Sequence, residues 1–125
     1  MEVKVFKPSD IEQAREIHEK FYKDEFSFPD FYNKFIVAFN ISDGDTIISC
    51  GGIRTILESV IITNKDLDPK TRREALYKML EASSYVANRR DFTQIHAFIQ
   101  DAKWERHLKR IGFKEIKGTG LVLEI

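Results

Sequence analysis

Apolar and polar positions change their period several times along the chain, and each change predicts an element. Val3-Lys4-Val5-Phe6 reads as a short strand. After Pro8 the apolar positions Ile11, Ala14, Ile17, Phe21 and Tyr22 recur every three to four residues, the repeat of a helix with one inward face. Ser9-Asp10-Ile11-Glu12 has the Ser-x-x-Glu spacing of a capping box, which puts the helix start there. His18 falls at the edge of that face and reads as a core or boundary histidine. The aromatic stretch that follows holds Phe26, Phe28, Phe31 and Tyr32, with Pro29 opening a short second helix. These rings read first as cover for the core edge and second as walls of a substrate groove.

Phe35 to Ile41 and Thr46 to Arg54 are β-rich runs separated by Ser42-Asp43-Gly44-Asp45, so they predict a hairpin. Gly51-Gly52 inside the second run marks a bulge or a close approach of another group to the backbone. Ser59-Val60-Ile61-Ile62-Thr63 is a β-branched run that predicts a buried central strand, and the polar link Asn64 to Asp68 carries it into a helix. That helix has Ala75, Leu76, Met79, Leu80, Ser83 and Val86 on one face, and starts either at Thr71 or at Pro69 behind Asp68. Either start leaves the amides of Arg72, Arg73 and Glu74 free. Thr93 to Ile99 predicts a strand and Ala102 to Ile111 a helix stopped by Gly112. Phe113 to Lys117 and Leu121 to Ile125, about Gly118-Thr119-Gly120, predict a closing hairpin.

Composition narrows the class. A chain of 125 residues with 42% hydrophobic side chains and ten Phe suits one domain, residues 1–125, with one ordinary core. The lone Cys50 excludes an internal disulfide and a Cys-based zinc site and reads as a small buried thiol, while His18, His96 and His107 lack metal-ligand spacing. The N-terminus has no apolar signal segment and the longest apolar run, Phe35 to Phe39, is too short to span a bilayer, so a soluble cytoplasmic protein without a membrane partner is expected. Net charge is zero but uneven: residues 1–64 hold seven Lys/Arg against eleven Asp/Glu, and residues 65–117 thirteen against eight. A basic second half suits a small polyanion better than a duplex. The helix opening Pro69-Lys70-Thr71-Arg72-Arg73 sharpens this, because the first turn of a helix attracts phosphate.

The element order, read with two local motifs, resembles the GNAT family of N-acetyltransferases over nearly the whole chain. Pro69 and Arg72 stand where that family's loop Pro-x-x-Arg-x-x-Gly-x-Gly/Ala has its proline and arginine; Ala75 and Tyr77 stand where it prefers glycine or alanine. Gly112-Phe113-Lys114 after the helix Trp104 to Ile111 matches the second motif, with Leu108 in place of the usual tyrosine and His107 beside it. The resemblance implies a single-domain acyl-CoA N-acyltransferase (GNAT-like) α/β fold, a mixed central sheet flanked by helices, with acetyl-CoA as cofactor. It implies that Arg72, Arg73, Glu74 and Ala75 lie at the pyrophosphate, and that an amide near Ile62, Thr63 or Leu67 polarises the thioester.

Acetyl transfer also needs a proton acceptor and a proton donor. Glu58, at the entrance of the predicted central strand, is the candidate base, against a reading as a solvated turn residue. His107 is the candidate acid, against a reading as an exposed residue of a basic helix. His96 is a further candidate, against a packed histidine. The expected partner is a small-molecule or peptide amine, with homodimer pairing through the closing hairpin as a further expectation. The competing class is a catalytically inactive GNAT-like module that binds protein or nucleic acid through Arg89, Arg90, Lys103, Arg106, Lys109 and Arg110; only Trp104 is placed among those charges for base stacking, so nucleic acid ranks second.

Overall fold

Strand β1 (Glu2–Val5) joins β2 (Phe35–Asp43) and β3 (Thr46–Arg54) in an antiparallel sheet of order β1-β2-β3. In this computed structural model, which describes residues 1–125, a 3-10 turn at Pro8–Asp10 leads into α1 (Ile11–Phe21), and two further helices follow, α2 (Pro69–Arg89) and α3 (Ala102–Arg110). The chain is a small α/β domain of three strands and three α-helices.

The hairpin forms as its turn residues dictate. Gly44 takes a φ of +58° at the first central position of a two-residue turn between Asp43 and Thr46, a conformation that glycine adopts without a Cβ penalty. Two bulges interrupt the β2–β3 ladder, where Ile36 and Ile48 have no opposite residue. Gly52, opposite Ala38, is the close approach expected of the glycine pair: a Cβ there would run into the Val37 carbonyl oxygen. Gly51 faces open space.

The core lies between the inner face of this sheet and α1. Phe6, Ala14, Phe31 and Ala38 are buried together, with Ile11, Phe28, Phe35 and Cys50 packed around them. Phe6 and Phe31 stack at 4.3 Å, so the aromatic stretch closes the core edge and forms no helix, Phe26 and Tyr32 remaining half exposed. Instead of helical bonds, the Asp30 carboxylate accepts from the amides of Tyr32 and Asn33 and from the Asn33 side chain. Helix α1 buries Ala14 and His18 rather than Phe21, which is 61% exposed. His18 turns inward because its Nε2 meets the Phe26 carbonyl oxygen at 2.6 Å while Phe26 and Phe28 meet the ring edge-on. The expected capping box at Ser9 does not form; upstream of it the Lys7 amide donates to Asp10 Oδ2 at 2.8 Å, at the start of the 3-10 turn.

Beyond β3 the ladder stops, and here the expected mixed central sheet is corrected. In place of the two expected strands Ser59 to Thr63 and Thr93 to Ile99 there is a single parallel bridge, Glu58 with His96, in which the Ser59 amide donates to the His96 carbonyl and the His96 amide to the Leu57 carbonyl, each at 2.8 Å. The closing hairpin is likewise not a strand pair, and Leu121 to Leu123 stand more than four-fifths exposed. Strand composition expresses a need for a partner, and an isolated pair of strands is marginal without a third or a packing helix. Helices α2 and α3 make few contacts with the sheet. The link to it runs through Lys34, whose ammonium donates to the Arg90 carbonyl at 2.6 Å and sits 4.2 Å from the centre of the Phe92 ring.

Candidate functional site

Helix α2 begins at Pro69 because Asp68 caps it: the Asp68 carboxylate accepts from the Thr71 amide at 3.0 Å and from the Thr71 hydroxyl at 2.6 Å. The hydroxyl bond first, then the amide, holds this carboxyl below the usual aspartate range. The start at Pro69 also corrects the expected free amides. Arg72 N–H already donates to the Asp68 carbonyl, and Arg73 and Glu74 lie inside the i→i−4 ladder. What remains for an anion is side-chain chemistry. Arg72 sits on the inward stripe with Leu76, Leu80, Ser83 and Ala87, and its Nε–H is buried without a partner, whereas Arg73, Glu74, Ala75 and Tyr77 face solvent.

Directly after the Glu58–His96 bridge the two parallel segments separate. Glu58 to Ile61 and Ala97 to Ile99 form two walls of a cavity of about 200 Å³, closed by Trp104 and Leu108 of α3 and by Phe113. The amides of Val60, Ile61, Phe98 and Ile99 make no backbone hydrogen bond. Helix α3 is held against this space at both ends. Asp101 caps its start through the Lys103 amide at 2.8 Å, and Phe113 N–H returns to the Leu108 carbonyl at 3.1 Å over Gly112 with φ +113°. That six-residue return is a Schellman closure, and it carries Leu108 and Phe113 onto the same wall.

Of the residues expected at the site, the structure brings only Glu58 to this cavity, on its exposed rim. Ile62 is 94% exposed and Leu67 half exposed, and neither they nor Thr63 line the cavity, whose wall on this side runs from Glu58 to Ile61. His107 does not line the cavity; it stacks on Trp104, with centroids 5.6 Å apart. Val60, Phe98 and Trp104 escaped sequence reasoning because nothing in an apolar run says where two segments part.

His96 lines a second cleft of about 260 Å³ between the sheet and the second half of the chain. Its Nδ1 is buried without a partner. Cys50 is not part of either space; burial, and after it the Asp10 carboxylate, push its thiol pKa up, the opposite of an activated nucleophile. No group of three or more His, Cys, Asp and Glu side chains is placed to hold a metal, and no helix is long and apolar enough to cross a membrane. Comparison with known protein families, with characterised proteins and with solved structures finds no match for this chain.

Proposed function

We propose that the chain is an acetyl-CoA-dependent N-acetyltransferase acting on an amine. The observation that carries this reading is the parting of two parallel segments after the Glu58–His96 bridge, which leaves backbone amides unpaired along a largely apolar cavity. Unpaired amides along a largely apolar wall suit an acyl oxygen that gains negative charge. Acetyl-CoA supplies an activated thioester: the amine nitrogen bonds to the acyl carbon as the carbon–sulfur bond breaks, the amine loses one proton and the thiolate gains one.

The residues divide the work as follows. An unpaired amide of the Val60–Ile61 wall serves the acyl oxygen, and Glu58 on the rim takes the amine proton. Arg72 and Arg73, at the start of α2, hold the pyrophosphate through their guanidinium groups, Arg72 with its unpartnered Nε–H. His107 reaches the cavity only through Trp104, so the thiolate draws its proton from solvent.

A second reading is favoured by the cap: Asp68 already occupies the Thr71 amide and puts a carboxylate where a pyrophosphate would approach. On that reading the chain is a non-catalytic module of the same class. Its basic face is thinner than the sequence suggests, since Lys109 pairs with Glu105 and Glu115. Calorimetric titration with acetyl-CoA separates the two. Binding that Arg72→Glu weakens supports the transferase; absence of heat and of thermal stabilisation at millimolar acetyl-CoA sinks it, and salt-sensitive oligonucleotide binding supports the module. Glu58→Gln slows turnover more than it weakens acetyl-CoA binding, and unchanged turnover removes Glu58 from the site.

A further inference from the structure

The second cleft, of about 260 Å³, lies where β3 ends, β2 begins and α2 has just stopped. Four charged residues line it, Asp30, Lys34, Arg54 and Asp91, two of each sign. No ion pair forms among them; the ion pairs of the chain are Lys4 with Glu2, and Lys109 with Glu105 and Glu115. Two of the four are committed in other ways. Asp30 accepts three hydrogen bonds from Tyr32 and Asn33, and the Lys34 ammonium is held by the Arg90 carbonyl and the Phe92 ring. That leaves one guanidinium, Arg54, and one carboxylate, Asp91, without a partner of opposite charge in a cleft whose floor includes Phe35, Leu57 and Phe92. His96 also lines the cleft.

The wall is also conformationally committed. The two non-glycine residues with left-handed φ, Lys34 at +66° and Asp91 at +60°, both line this cleft. Asp91 is held so by the end of α2, where its own amide donates to the Asn88 carbonyl and the Phe92 amide to the Ala87 carbonyl, each at 3.0 Å. The Lys34 carbonyl accepts from the Thr55 amide at 2.6 Å, which fixes the strand ends at the mouth.

From the uncommitted pair Arg54 and Asp91 on the wall of one cleft, we infer that this cleft binds a small zwitterion, a molecule carrying an anionic group for Arg54 and an ammonium or amine for Asp91. Either charge alone leaves one wall unpaired, whereas a ligand with both satisfies the two without bringing net charge into the cleft. Because Arg54 and Asp91 are exposed, the binding is weak and falls with added salt. That the zwitterion is the acetyl acceptor rests on the transferase reading, since His96 and Glu58 join this cleft to the cavity; the binding itself does not.

The test uses the whole chain and ¹H–¹⁵N correlation spectra. Glycine, β-alanine and L-alanine at tens of millimolar are the zwitterionic probes, and ethylamine and acetate the single-charge controls. The zwitterions shift Thr55, Thr93, Gln94 and His96, the single charges bind more weakly, and Arg54→Gln or Asp91→Asn each weakens the effect about tenfold, the scale of one charge-assisted bond. Asn keeps the left-handed backbone at residue 91, so that variant removes charge without removing the turn. The inference is overturned if no zwitterion perturbs the cleft, if ethylamine or acetate does so equally, or if both variants bind as the unmodified chain does. Cleft binding in a chain that ignores acetyl-CoA would remove the transferase and leave this site standing; acetyl-CoA binding without cleft binding would do the reverse.

Discussion

Gly52 offers the sharpest test of the packing. An alanine Cβ at this position would overlap the Val37 carbonyl oxygen and lie 2.8 Å from Ala38 Cα and 3.0 Å from the Val37 carbonyl carbon. All three atoms are backbone of β2, the middle strand, so no side-chain end can swing aside. Carbon atoms rest about 3.5–4.0 Å apart, and relief therefore requires β2 and β3 to separate by roughly 1 Å. Overpacking of this kind costs about 1–3 kcal/mol, and a stretched ladder adds roughly 1 kcal/mol for each bond lost. Alanine recovers about 0.5–1 kcal/mol of strand propensity. Gly52→Ala is thus expected to lose about 3 kcal/mol, a large part of the roughly 5–15 kcal/mol typical of a folded domain. Gly51→Ala is the control, because nothing lies within 4 Å of its Cβ, and it stays within about 0.5 kcal/mol of the unmodified chain. Urea unfolding followed by far-ultraviolet circular dichroism reads both variants. Equal midpoints for the two would refute the claim that the β2–β3 spacing forbids a side chain at residue 52.

Three further outcomes follow from named contacts. Gln13 clamps the hairpin, donating from Nε2 to the Asp45 carbonyl at 3.0 Å and accepting the Ile47 amide at Oε1 at 2.5 Å; Gln13→Ala should cost about 1–2 kcal/mol and speed amide exchange at Ile47. The Asp68 pKa is depressed in the folded chain, so its cap is complete above the ordinary aspartate value of about 4 and is lost as pH falls through the lower folded value. Helicity of α2 should therefore drop on acidification below about pH 4, while Asp68→Ala is already frayed at neutral pH and shows no such step. Asp91 holds a left-handed φ of +60° that costs a non-glycine residue about 1 kcal/mol, so Asp91→Gly should raise stability by up to about 1 kcal/mol in thermal melts.

The elements that sequence reasoning located were those written in local chemistry. Asp43-Gly44 specifies the hairpin and Gly112 the end of α3, each by a backbone conformation that few other residues supply, and Asp68-Pro69 is one of the two α2 starts the sequence left open. The misplaced elements depended on distant partners. Ser59 to Thr63 has the composition of a strand, yet a ladder needs a second chain segment at hydrogen-bonding distance, and only His96 provides one. Helical period alone put Phe21 on the inner face of α1; the Phe26 carbonyl oxygen, brought close by the following loop, rewards His18 instead. At the candidate site, Glu58 was legible as a carboxylate at the mouth of a β-branched run. The cleft of Arg54, Asp91 and His96 was not, because it joins residues from three separate parts of the chain.

The Lys34 bridge bears on how the chain folds. Helices α2 and α3 draw their bonds from neighbours along the chain and need no loop closure, whereas β1 must find β2 across α1 and the aromatic stretch. Lys34 stands where β2 starts, and its ammonium reaches the carbonyl that ends α2. Lys34 thereby helps register α2 against the start of β2, and its truncation is expected to loosen that docking, read as faster amide exchange at Phe92.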